Sequence, residues 1–184
     1  VNLGSSVGIK VAKDHEGLKD ALEYAFTFGP RVLVERAIKN LREINCAVLG
    51  DYEDAEASEC EEPISSDEIL SYEDKYVAGG KGGSEGMRTA RRELPADLPA
   101  EKREEIRQMA VKTFQTLNCS GVSRIDFMID RDTDQVYVNE INPIPGSLAF
   151  YLWEALDKPY ARLLDDMVSL ALKREREEKN MLTS

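Results

Sequence analysis

At 184 residues the chain has room for one substantial core or for two small lobes sharing a cleft. Acidic side chains outnumber basic ones by 35 to 24, and the resulting net charge of −11 repels nucleic-acid phosphates. No apolar stretch reaches the roughly 20 residues of a membrane span, and no charged-then-apolar secretory pattern opens the chain.

Cys46, Cys60 and Cys119 have no paired spacing, so neither a disulfide framework nor a zinc site is indicated, and a reducing cytoplasm fits. Cys46 and Cys119 lie among apolar neighbours and read as small core residues, whereas Cys60 sits among acids and reads as exposed and inert. The single histidine, His15, follows Asp14 at a helix start and reads as a surface residue, which removes most histidine-dependent chemistry.

The chain begins at Val1 without an initiating Met and reads as the later part of a longer protein. The small residues from Gly4 to Gly8 suggest a turn between strands, with Ile9 to Ala12 as the second strand. Such a turn is either a plain hairpin or a loop whose backbone N–H groups approach an anion. Asp14 can cap a helix with Leu18, Ala21, Leu22 and Ala25 on one stripe, stopped by Gly29 and Pro30. Strands are predicted over 31–35 and 43–49, and residues 51–68, acidic and turn-rich, read as a linker or a loop between hairpin strands.

Five glycines in the eight residues 79–86 make either a linker or a lid. Pro99 opens a helix with Ile106, Met109, Ala110, Thr113 and Leu117 on its inward stripe. A short helix over 148–156 contains Trp153, and Pro159 starts a last one with Leu163, Leu164, Met167, Val168 and Ala171 inward. The charge run from Lys173 to Lys179 reads as a solvated face and tail.

Between these helices, residues 124–129 and 136–142 read as two strands folded back through the polar turn Asp130 to Asp134. Period-two alternation puts Arg124 and Asp126 on one face of the first strand, and Glu140 and Asn142 on one face of the second. Asp126, Glu140 and the Asn142 carbonyl are hard oxygen ligands suited to Mg²⁺ with phosphate, and Arg124 is placed to meet charge that develops beside them. The turn mimics the start of a calcium-binding loop, but Gln135 stands where that loop needs glycine and Ile141 where it needs glutamate. A solvated surface hairpin accounts for Asp130 to Asp134. It does not account for Ile125, Phe127, Ile129, Val136, Val138 and Ile141 standing apolar on the other parity.

Seven segments then occur in order: Gly4 to Ile9, Val32 to Arg36, Arg42 to Ile44, Tyr72 to Tyr76, Pro95 to Leu98, Arg124 to Phe127, and Asn139 to Gly146. Together they resemble the D-alanine–D-alanine ligases, ATP-grasp enzymes of peptidoglycan synthesis, over nearly the whole chain. The resemblance implies an α+β ATP-grasp fold of two lobes clasping ATP. Residues 1–75 would be part of the central, adenine-binding lobe, and 76–180 the C-terminal lobe with a closing loop at 76–92. The N-terminal domain would be absent and the isolated chain inactive.

By the same resemblance Glu35, Ala37 and Ile38 hold the adenine, Glu43 the ribose hydroxyls and Lys75 the phosphates, while Ser5, Ser6 and Tyr76 line the site. Asp126, Glu140 and Asn142 bind two Mg²⁺ ions, for which Mn²⁺ can substitute. Arg124 and the Gly146 N–H stabilise an oxyanion, and Ser147 and Leu148 hold the carboxylate of the second D-alanine. The partners implied are ATP, D-alanine, the protein's own N-terminal domain and a second copy in a homodimer, with neither nucleic acid nor membrane. The segment after Gly146 is shorter than the usual ligase version, so Ser147 and Leu148 are matched by type and order. Two other readings stand beside this one: a ligase with D-lactate or D-serine as second substrate, and a non-catalytic nucleotide-binding module.

Overall fold

In the computed structural model, which describes residues 7–64 and 92–181, the polypeptide divides into two units, 7–39 and 40–64 with 92–181. The strand predicted over 43–49 belongs to the same sheet as the 124–142 hairpin.

In the first unit, helix α1 (His15–Phe26) starts where expected. Asp14 is extended, and its Oδ1 accepts the Gly17 N–H at 2.7 Å, satisfying one of the donors that every helix start leaves open. Leu18, Ala21, Leu22 and Ala25 are all half-buried. The helix ends at Thr27, before the glycine–proline pair. Gly8, in the turn that opens the unit, has φ +85, and a Cβ there would stand 3.1 Å from the Phe28 ring, so both backbone and space call for glycine. The segments 9–12 and 31–35 are not strands in this structure. β-Propensity measures fit to a pleated, half-covered surface; among the described residues neither segment has a ladder partner, and Ile9, Val11, Leu33 and Val34 are exposed.

The second unit is built on one antiparallel five-stranded sheet in the order β3-β2-β1-β4-β5. The strands are β1 (Leu41–Gly50), β2 (Ala55–Pro63), β3 (Arg92–Glu93), β4 (Gly121–Asp130) and β5 (Gln135–Asn142). β1 is central, and every residue from Ile44 to Gly50 is buried. Ile44, Cys46, Val48, Ile125, Phe127 and Ile129 project to one face. There they pack on Ile106, Ala110 and Phe114 of helix α2 (Ala100–Thr116). Part of the other face is covered by a second cluster. Ala47, Leu49 and Val122 meet Ala149, Leu152 and Trp153 of a 3₁₀ turn (Gly146–Ala149) and helix α3 (Phe150–Glu154), together with Leu163 of helix α4 (Tyr160–Asn180).

Five further expectations are corrected. Residues 55–63 are a strand, neither a linker nor a loop, and their charges find partners on several elements: Glu62 pairs with Arg42 of β1 at 2.6 Å, Asn45 donates to Glu61 at 3.0 Å, and Glu59 meets Arg103 of α2 at 3.7 Å. An extra residue on β2 between the Cys46 and Val48 pairings breaks the ladder, and the Ala47 N–H donates instead to Ser58 Oγ at 2.8 Å. Cys60 is accordingly fully buried, directly opposite Cys46. Leu117 is exposed because α2 ends one residue before it, and Phe114 fills the inward position. On α4 the inward stripe is Leu163, Met167 and Leu170, spaced four and three apart; Leu164, Val168 and Ala171 are exposed. The charged run from Lys173 to Lys179 is helical rather than a tail, with Lys173 bonded to Asp51 and Glu53 on the β1–β2 turn. Among the described residues no helix is long and apolar enough to cross a membrane.

Candidate functional site

The hairpin of β4 and β5 sets the site. Asp130 closes the turn, its carbonyl accepting the Asp134 N–H at 2.7 Å and its Oδ1 the Asp132 N–H at 3.0 Å, with Asp134 in the left-handed region. Along β4, burial alternates with Ile125, Phe127 and Ile129 inward and Arg124, Asp126 and Met128 on the opposite, half-buried face. On β5 the register slips once. Phe127 pairs with Val138 and Asp126 with Glu140, so Asn139 is an extra residue. Without that bulge Glu140 and Asn142 would share the parity of Val136 and face the hydrophobic core. With it, Glu140 stands opposite Asp126 and Asn142 opposite Arg124, all four on the face that α2 does not cover.

The contacts are short. Arg124 grips Asp126 with two parallel bonds, Nε to Oδ1 at 2.7 Å and a terminal nitrogen to Oδ2 at 2.8 Å, and Asn142 Nδ2 donates to the same Oδ2 at 3.0 Å. Burial works to lower the Arg124 pKa, but the hydrogen bond and charge of Asp126 outweigh it, and the net displacement is upward. The guanidinium is therefore a permanent cation. Glu140 is exposed.

β1 extends this polar row. Asn45 lies opposite Asp126, and Glu43, half-buried, lies opposite Met128 on the same face. Asn45 in turn donates to Glu61 on β2, whose side chain is only 5% exposed. Tyr151 of α3 donates its hydroxyl to Glu61 at 2.7 Å, and Arg92 of β3 stands 3.5 Å from the other carboxylate oxygen. Burial and the charge of Glu61 push the Tyr151 phenol up, so it remains a donor. Sequence reasoning missed Asn45, Glu61, Tyr151 and Arg92. The signal for Asn45 is a lone amide inside an apolar strand; Glu61 stands in an acidic run that reads as a linker or a loop.

Gly146 is exposed and begins the 3₁₀ turn, while Ser147 and Leu148 are half-buried. Ser147, Leu148 and Ala149 have φ of 50°, 56° and 51°. Three consecutive left-handed residues without a glycine are costly, about 1–2 kcal/mol each, and such strain collects at ligand-binding segments. Glu35 and Ala37, both exposed, and the half-buried Ile38 belong to the 7–39 unit. Ser5, Ser6, Lys75 and Tyr76 lie outside the described residues, as does the glycine-rich segment 79–86.

Among the described residues no group of three or more His, Cys, Asp and Glu side chains could hold a metal ion. The hairpin set is two carboxylates and an amide carbonyl, in adjacent rows of one face. Its all-oxygen chemistry fits a hard divalent cation that keeps several waters and shares phosphate ligands.

The class the fold defines is an α+β unit with one antiparallel sheet, and it carries the Arg–Asp–Glu–Asn constellation on one face. The chain belongs to the D-alanine–D-alanine ligase family: the family model described as D-ala D-ala ligase C-terminus matches residues 1–169. It is 43% identical to a D-alanine–D-alanine ligase of Caldicellulosiruptor bescii over 98% of this chain and 48% of that protein. It is 39% identical to one of Solibacter usitatus over 97% and 53%. Among solved structures it resembles the D-alanine–D-alanine ligase of Coxiella burnetii, with TM-score 0.76 and 31% identity over 96% of this chain and 44% of that one. The VanG D-Ala:D-Ser ligase of Enterococcus faecalis gives TM-score 0.72 and 28% identity over 91% and 46%. The chain thus spans about half the length of the curated relatives it matches.

Proposed function

We propose that the protein carrying this chain joins two D-alanine molecules at the expense of ATP, in the cytoplasm, to supply a peptidoglycan precursor. The observation that carries the reading is the pairing of Asp126 with Glu140 on one face, with the Arg124 guanidinium 2.7 Å from Asp126. That arrangement combines metal-ligand oxygens with a fixed cation, which simple nucleotide binding does not require.

In this reading the carboxylate of the first D-alanine attacks the γ-phosphorus of ATP, the bond to the leaving oxygen of ADP breaks, and an acyl phosphate forms. The amine of the second D-alanine then attacks the acyl carbon, loses a proton, and phosphate departs as the peptide bond is completed. Arg124 and the Gly146 N–H face the oxyanion of that second addition. Asp126, Glu140 and Asn142 hold two Mg²⁺ ions, or Mn²⁺, which when bound neutralise phosphate charge. Glu35, Ala37, Ile38 and Glu43 hold the nucleoside, and Lys75 with Ser5, Ser6 and Tyr76 completes the phosphate and substrate contacts. Ser147 and Leu148 receive the second amino acid. The two-lobed ATP-grasp clasp, with the adenine-binding part in 1–75 and the closing loop at 76–92, belongs to the same proposal, as does a homodimer. Because the chain spans about half of its relatives, the remaining half is needed for turnover.

The test is phosphate release by the full-length protein with ATP and D-alanine, expected to yield one ADP, one phosphate and one dipeptide per turnover. ATP binding without release removes the assignment. Likeness to a D-Ala:D-Ser ligase makes D-serine the first alternative acceptor to screen, with D-lactate beside it.

A further inference from the structure

Glu61 is a nearly enclosed carboxylate serving groups from three separate elements: Asn45 on β1, Tyr151 on α3 and Arg92 on β3. A buried acid that only needed satisfying could be met by its own strand neighbours. Here one of its partners lies just past a strained segment. Tyr151 is the second residue after the left-handed run Ser147, Leu148 and Ala149, and its ring is also covered by the Arg92 guanidinium at 4.3 Å. On the other side of α3, Leu152 and Trp153 are fully buried in the second core. The short helix is therefore pinned on both flanks, by packing on one and by the Glu61 hydrogen bond on the other. Three non-glycine residues hold a left-handed path only where their surroundings over-determine it. Asn45 ties the same carboxylate to the row containing Asp126, so turn and hairpin share one fixed reference.

We infer that Glu61 is a positioning residue for acceptor binding: through the Tyr151 hydroxyl it holds the 147–149 turn in the shape that receives the second amino acid. This rests on the ligase reading above. A purely structural role would lower stability without separating one substrate from the other. A positioning role acts on the acceptor alone, because that reading gives Ser147 and Leu148 to the second amino acid and the nucleotide to other residues.

The experiment uses the full-length protein with Tyr151→Phe, Glu61→Ala and Glu61→Gln. Tyr151→Phe removes the hydroxyl and keeps the ring against Arg92; Glu61→Gln keeps an acceptor for Tyr151. The expected result is an increase of about tenfold in KM for acceptor D-alanine in Tyr151→Phe and Glu61→Ala, the size of one lost hydrogen bond. KM for ATP stays within twofold, and Glu61→Gln recovers most of the loss. In parallel, amide hydrogen exchange of Leu148 and Phe150, which donate to Pro145 and Ser147, should quicken about tenfold in Tyr151→Phe while β1 and β4 amides are unchanged. Unchanged exchange in the turn, or KM values for ATP and acceptor rising together, overturns the proposal. If the unsubstituted protein makes no dipeptide, the ligase reading and the acceptor role fall together, and exchange alone then decides whether Glu61 holds the turn.

Discussion

Asp126 and Glu140 face each other across adjacent antiparallel strands, and they do so only because Asn139 bulges out of β5. Each should therefore be needed for metal rather than for folding. In the full-length protein Asp126→Asn and Glu140→Gln are expected to raise the Mg²⁺ concentration for half-maximal activity by at least the roughly 10–100-fold that loss of an outer-shell partner costs. Circular dichroism should stay unchanged. Normal Mg²⁺ dependence in both variants would remove the metal assignment.

Arg124 gives a separate prediction, because its charge is fixed and its two bonds to Asp126 hold it in place. Arg124→Ala should lower kcat by about 10²–10³, the range for losing one oxyanion donor, while the Kd for ATP changes less than threefold. Arg124→Lys should recover little, since a single ammonium cannot reproduce the bidentate grip. Equal losses of ATP affinity and turnover would instead favour a binding module without catalysis.

On β4 the hairpin was legible because both faces carry a signal, Arg124 and Asp126 on one parity and Ile125, Phe127 and Ile129 on the other. On β5 the parity expected of Val136 and Val138 fails, since they share that of Glu140 and Asn142 and only the extra residue Asn139 parts them. β2 was not legible. Its Glu59, Glu61 and Glu62 look like loop residues until Arg103, Asn45 and Arg42 are seen beside them, and no local pattern announces partners on other elements. The α4 stripe failed for a different reason. Leu163, Leu164, Met167 and Val168 fit two overlapping helical faces, and only contact with Trp153 and Ala149 selects the one through Leu163. Asp126, Glu140 and Asn142 could be singled out by residue type, whereas the Tyr151–Glu61 hydrogen bond joins positions 90 residues apart.

The cysteines allow a direct check of the β2 correction. Cys46 and Cys60 are fully buried, and the hydrogen bond between them, with burial second, pushes the Cys46 thiol well up. Cys119 is half-buried, and burial raises its thiol too. A thiol-reactive dye at pH 8 should therefore label Cys119 slowly and leave Cys46 and Cys60 untouched until denaturant is added. Fast labelling of Cys60 in the native protein would return 55–63 to a loop.

Asp51, on the turn after β1, anchors α4 through Lys173 at 2.7 Å and also accepts the Glu53 and Asp54 N–H groups. Its carboxyl is held below the usual range, chiefly by the Lys173 hydrogen bond, against an upward push from burial. A depressed acid contributes stability that is complete above its unfolded pKa of about 3.9 and is lost as pH falls through the lower folded value. Lys173 is displaced upward, first by Asp51 and then by Glu53, so its contribution is complete below about 10.4 and lost only above that. The difference in Tm between the full-length protein and Asp51→Asn should therefore be flat from about pH 5 to pH 9 and close towards zero below about pH 4. Asparagine keeps the two backbone bonds, so the comparison isolates the charge. Being near the surface, the pair should also weaken in 1 M salt, where the Debye length falls to about 3 Å. A difference that grows on acidification would mean that Asp51 is destabilised by its surroundings, and that α4 is held by its apolar stripe alone.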